Sequence, residues 1–124
     1  MAVGCLLVAT GPPSATAGSP AYVATDQGPK RHPQNFSFHQ PGVSYRFTSL
    51  RWKGWGRRRP EAHGRLTVCP NMAGCEKLGR AKLRLRRPRA ARCDGVRGRY
   101  YVRGTIILDG RKTPLVLAPS YVCG

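Results

Sequence analysis

Apolar side chains in this chain recur at every second residue, and no stretch sustains the three-and-four spacing of an amphipathic helix. Val43, Tyr45 and Phe47 alternate with Ser44, Arg46 and Thr48, and Leu66 and Val68 with Arg65 and Thr67. Ala81, Leu83 and Leu85 alternate with Lys82, Arg84 and Arg86. Farther on, Tyr100, Val102, Ile106 and Leu108 share one parity, as do Leu115 and Leu117 in the next run. Period two sends one set of side chains to one sheet face, so each run reads as a half-buried strand. No repeat of solenoid length is visible. The 15 Gly and 11 Pro favour turns and irregular connections over long helices. The expectation is all-β: a small antiparallel sandwich or barrel of about five or six short strands.

Two local features sharpen that reading. The apolar phase slips by one between Phe47 and Leu50-x-Trp52, which predicts a bulge near Thr48 and Ser49 that keeps one face inward. Asp109-Gly110, flanked by apolar alternation, predicts a tight hairpin, and Pro114 confines its second strand to an edge or a strand start.

The rest of the chain divides by composition. Residues 1–17 read as a secretory leader: Ala2 to Thr10 is apolar, Pro12 and Pro13 break it, and Ala15-Thr16-Ala17 fits a small-x-small cleavage site. No Lys or Arg precedes the run, as if its start were truncated, and the run is too short to cross a bilayer. Lipid attachment at Cys5 is a weaker alternative, because the residues after it are apolar. Residues 18–42, with Pro20, Pro29, Pro33 and Pro41 and few apolar side chains, read as an extended, poorly ordered arm. Residues 43–124 form the single expected β domain.

Removal of the leader leaves Cys69, Cys75, Cys93 and Cys123. An even cysteine count in a short exported chain reads as two disulfides with three pairings open. A Cys69 to Cys75 bridge would close the short CPNMAGC loop. No Cys-x-x-Cys or paired-His spacing supports a metal site, so no metal or other cofactor is expected.

Charge narrows the partners. Five acids (Asp26, Glu61, Glu76, Asp94 and Asp109) oppose 22 Lys and Arg, for a net charge of +17. A field of that sign and size attracts acidic polymers and anionic surfaces. Genomic base composition alone could also produce an arginine excess. Lys82, Arg84 and Arg86 project from one strand face as a basic stripe, Arg87, Arg89 and Arg92 follow in an adjoining loop, and Lys53, Arg57, Arg58 and Arg59 surround the tryptophans of RWKGWGRRRP. Trp52 continues the apolar face of its strand. Trp55, between two glycines, reads as a plug over the sheet end, with exposed stacking as the rival role. Catalytic residues are not expected: the acids are scattered, His32 and His39 lie in the arm, and His63 has only Glu61 close in sequence.

Taken in order, Leu50-x-Trp52-x-x-Trp55-Gly56, Gly64, the Cys69-Pro70 to Ala73-Gly74-Cys75 loop, the Leu83 strand and Pro88 ahead of Cys93 resemble a group of small secreted proteins of actinomycete bacteria, over about residues 43 to 108. The resemblance implies export and a small disulfide-bonded β domain, with no established activity. The related proteins carry a cysteine before the first strand and a tighter Cys-x-Pro-x-Cys loop. Here Cys123 takes the place of that missing partner, so the pairing expected is Cys69 with Cys75 and Cys93 with Cys123, and Cys75 with Cys93 is the rival.

The functional expectation is an exported, non-catalytic module that adheres to acidic polymers: wall anionic glycopolymer, extracellular nucleic acid or anionic lipid. The alternative is a secreted interaction or inhibitor domain acting on a protein partner through a loop such as residues 70 to 74. A hydrolase using His63 or Glu61 ranks below both.

Overall fold

Period two becomes eight strands and, among the described residues, no helix. The computed structural model describes residues 20–25, 27–70 and 74–117; the leader, Cys5 and Cys123 lie outside them. In chain order the strands are β1 (Ala21–Thr25), β2 (Gly28–Lys30), β3 (Phe36–Gln40), β4 (Val43–Lys53), β5 (Glu61–Pro70), β6 (Glu76–Cys93), β7 (Val96–Leu108) and β8 (Arg111–Val116). They form one sheet in the order β2-β1-β7-β6-β5-β4-β3. One edge of β7 is shared: β1 pairs with it in parallel at Arg99 and Tyr100, and β8 in antiparallel sense from Arg103 to Leu108.

The all-β class is therefore found, in a mixed sheet with more strands than the alternation alone marks. The additional ones come from residues 18–42, which are not a loose arm beyond Pro20. Ala21, Val23, Phe36 and Phe38 from this segment are buried in the main core. Its prolines obscured the strands without preventing them. Pro20 precedes β1, Pro29 lies in the short strand at the sheet edge, and Pro33 and Pro41 lie in connections. None of these positions needs a central-ladder N–H.

A second correction concerns residues 87–92, expected as a loop. β6 continues through them to Cys93, paired with β7 along its length. Pro88 fits because β5 leaves β6 at Arg84, after which Leu85 N–H donates to the Pro60 carbonyl. Beyond that point β6 pairs on one side only. The ladder skips Arg87, whose φ is 59°. Past this irregularity Tyr101 enters the main core, whereas Gly104 and Ile106, of the opposite parity, face Leu85 and Leu83. Tyr100 packs instead with Ala24 and Cys93 in a second small cluster. Simple alternation put Tyr100 with Ile106 because it contained no such break.

The predicted bulge is present: the β4–β5 register shifts between Thr48 and Arg51, and Ser49 has a φ of 56°. Ser49 and Leu50 together oppose Gly64, and Leu50 turns inward to 3% exposure. The Asp109-Gly110 hairpin is also present, with both residues at positive φ as a type I′ turn requires. Asp94-Gly95 repeats the device between Cys93 and Val96. Arginine-rich flanks hid it from the alternation.

The sheet curls until its ends meet over one core that draws residues from β1 and from β3 to β8. The Gln40 side chain closes part of the seam. Its Nε2 donates to the Val116 carbonyl at 2.9 Å, and its Oε1 accepts from Val116 N–H at 3.2 Å. One amide thus joins β3 to β8 as a peptide would in a ladder.

Candidate polyanion-binding face

The residues that anchor the outer surface are the two tryptophans. Trp52 packs against the core and donates from Nε1 to the Pro33 carbonyl at 2.7 Å. Trp55 is the plug: it packs on the core, donates to the Ala21 carbonyl at 3.1 Å, and meets Trp52 and Tyr101 edge-on at 4.8 and 5.2 Å. The fully buried Tyr101 hydroxyl donates to the Arg57 carbonyl at 2.6 Å and accepts from Gly56 N–H at 3.0 Å. Burial raises the Tyr101 phenol above its ordinary value, against a smaller lowering by its backbone hydrogen bond. These contacts hold the 54–60 turn, leaving the Arg57, Arg58 and Arg59 side chains exposed.

Strand register then assembles the outward cations. Glu61 of β5 lies opposite Arg84 of β6, and His63 opposite Lys82. Glu61 binds both members of the expected stripe: Arg84 Nε lies 2.8 Å from its Oε2 and Lys82 Nζ 3.7 Å from its Oε1. From Leu78 to Cys93 β6 carries no acid, but its neighbour supplies a carboxylate to two of the stripe's three cations. Arg86 is exposed beyond the end of that pairing.

Two open grooves flank Glu61. One, of about 320 Å³, is walled by Arg59, Arg84, Arg86 and Lys112, with Thr105 and Pro114. The other, of about 380 Å³, lies at the β4 bulge and is walled by Arg51, His63, Arg65 and Arg80, with Ser49 and Gly64. A wider hollow of about 800 Å³ carries Lys30, Arg31, His32 and Arg46 beside β2 and β3. Of the expected residues, Arg59, Arg84 and Arg86 converge on one groove. Lys53 is exposed at the end of β4, Arg87 at the ladder irregularity, and Arg89 and Arg92 along the β6–β7 hairpin. Sequence reasoning missed Arg51, Arg65, Arg80 and Lys112. Arg65 stands between buried Gly64 and Leu66, and Arg51 and Arg80 each adjoin one buried residue, Leu50 and Ala81, but only register shows that the three meet.

The Glu61 carboxyl is held below its ordinary value of 4.5, first by the Arg84 hydrogen bond, opposed by desolvation, then by the charges of Arg84, Lys82 and His63. A carboxyl lowered on folding stabilises above its unfolded value, and that contribution disappears as pH falls through the lowered folded value. Urea unfolding of wild type and Glu61→Gln across the acid range is expected to show part of the wild-type loss below pH 4.5 missing from the variant. Parallel pH curves would mean that the pair contributes nothing to folding.

The Cys69–Cys75 disulfide joins the end of β5 to the start of β6, as expected, with an S–S distance of 2.11 Å. Cys93 is also disulfide-bonded; its expected partner, Cys123, falls outside the described residues. Among the described residues, no three His, Cys, Asp or Glu side chains gather as metal ligands would. No family model, curated protein or solved structure matches this chain.

Proposed function

We propose that the protein is an exported, non-catalytic binding module that adheres to acidic polymers through the outer face of β4 to β8. The observation that carries the reading is the pair of cationic grooves, one walled by three arginines and His63 and the other by three arginines and Lys112, on either side of a single carboxylate. A solvated sheet face normally mixes signs, because like charges on neighbouring strands repel unless counterions or a partner offset them. The Cys69–Cys75 bridge is compatible with an oxidising, extracellular setting.

Binding of the oxidised chain to an anionic polymer across a salt series tests the proposal. Neutralising Arg59, Arg86 and Lys112 to Gln, which leaves the Glu61 pairs intact, is expected to reduce the log–log salt slope by about three, roughly one unit per phosphate contact. A control variant neutralised at Arg31, Lys77 and Arg111 is expected to retain most of the slope. Equal losses in the two variants would make the charge generic, overturn the groove reading and turn the search to a protein partner.

A further inference from the structure

Three arginine pairs stand directly opposite one another on neighbouring strands: Arg65 with Arg80, Arg86 with Arg103, and Arg92 with Arg97. Directly opposed residues hold their Cβ atoms about 4.5–5.5 Å apart, and like charges there destabilise the sheet. The hairpin-tip pair, Arg92 with Arg97, adjoins Asp94 in sequence. The other two pairs lack such relief. Glu61 binds Lys82 and Arg84, and among the described residues none of Arg65, Arg80, Arg86 and Arg103 has a carboxylate partner. Arg65 and Arg80 share a groove, and Arg86 lines the other.

A guanidinium presents its donors in a planar fork that matches two oxygens of one anion, and two forks side by side can both donate to the two non-bridging oxygens of one phosphodiester, whose lone pairs accept several hydrogen bonds. We propose that Arg65 with Arg80 and Arg86 with Arg103 are phosphate clamps, and that the polymer bound is a phosphodiester chain without aromatic bases, such as a polyol phosphate. This rests on the polyanion reading above. The absence of bases follows from the aromatic inventory. Trp52, Trp55, Tyr45 and Phe38 pack in or against the core, Tyr100 and Tyr101 are buried, and the exposed large apolar side chains among the described residues are Leu78 and Val116. Binding of single-stranded nucleic acid draws much of its affinity from stacking on aromatic rings, and among the described residues no Phe, Tyr or Trp is exposed. Arg86 lies six residue steps along β6 from Arg80, so the clamps lie roughly 20 Å apart at about 3.3 Å per residue. Both clamps can therefore engage one polymer chain, but not one phosphate.

Charge-preserving substitutions test the clamps. Affinity for poly(glycerol phosphate), poly-dT and polyglutamate is measured at one salt concentration for wild type, Arg65→Lys with Arg80→Lys, Arg86→Lys with Arg103→Lys, and the corresponding Gln variants, with far-UV circular dichroism and thermal melting as folding controls. Lysine keeps the charge and removes the fork. Each Lys pair is expected to weaken poly(glycerol phosphate) binding about tenfold, approaching the loss in its Gln counterpart, while polyglutamate binds more weakly throughout. Lys pairs within about twofold of wild type, beside weakened Gln pairs, would overturn the clamps and leave the polyanion reading standing. Poly-dT bound more tightly than poly(glycerol phosphate), or polyglutamate bound equally well, would overturn the ligand class. Failure of the wild type to bind any of the three would overturn both the clamps and the polyanion reading.

Discussion

Tyr101→Ala is expected to destabilise the protein by about 3–5 kcal/mol, the usual cost of deleting a large buried aromatic. Tyr101 is fully buried, contacts Trp55 edge-on, and satisfies both Gly56 N–H and the Arg57 carbonyl through one hydroxyl. Alanine leaves a cavity beneath the plug and two backbone groups without their partner. Phenylalanine at the same position separates these effects, since it keeps the ring and removes only the hydroxyl. Its expected cost is about 1–3 kcal/mol, that of leaving buried polar groups unpaired. Urea titration of wild type, Tyr101→Phe and Tyr101→Ala checks both figures. Equal losses in the two variants would place the whole contribution in the hydroxyl. A negligible loss on alanine substitution would mean that Trp55 is held without Tyr101.

Gly64→Ala is expected to cost about 1–3 kcal/mol, through overpacking rather than lost hydrophobic contact. A Cβ at Gly64 would lie 2.8 Å from Leu50 Cδ2 and 2.8 Å from the Thr48 carbonyl oxygen. The reason is the bulge. Two residues of β4 oppose Gly64, and the second, Leu50, is driven into the core directly over it. The side chain can move but the carbonyl belongs to the bulged backbone, so relief should be partial. Combining Gly64→Ala with Leu50→Val, which removes Cδ2, is expected to destabilise less than the sum of the single changes. Additive losses in thermal melting would show that the strain lies against the backbone alone.

These cases show what was legible in the sequence. The β4 bulge was readable because Phe47 and Leu50-x-Trp52 must both face inward, and Asp109-Gly110 because few dipeptides accept two successive positive φ values. Trp55, between two glycines, was legible only as one of two roles, a plug or an exposed stacking ring, and its contacts with Trp52, Tyr101 and the Ala21 carbonyl make it the plug. β1 and β3 were obscured because Val23, Phe36 and Phe38 lie among prolines in short runs without sustained alternation. The end of β6 was obscured because Arg87 breaks parity and Pro88 resembles a strand stop. Pro88 is compatible with a strand only where β5 has already turned away.

By itself the sequence determined the class of structure and the sign of the surface. Period-two patterning excludes helices and directs arginines outward, since side-chain alternation is a local property of an extended chain. Only the tertiary structure decided which charges meet. Glu61 is far in sequence from Lys82 and Arg84, yet register sets it against both. The same register opposes Arg65 to Arg80 and Arg86 to Arg103. A one-residue slip would change every such pairing, and the bulge at Ser49, a second register shift where Leu66 pairs with Gly79 but Thr67 with Lys77, and the curl that brings Gln40 to Val116 define the strand alignment. Charge is written along the chain, but a binding face depends on charges adjacent across strands, and that adjacency is non-local.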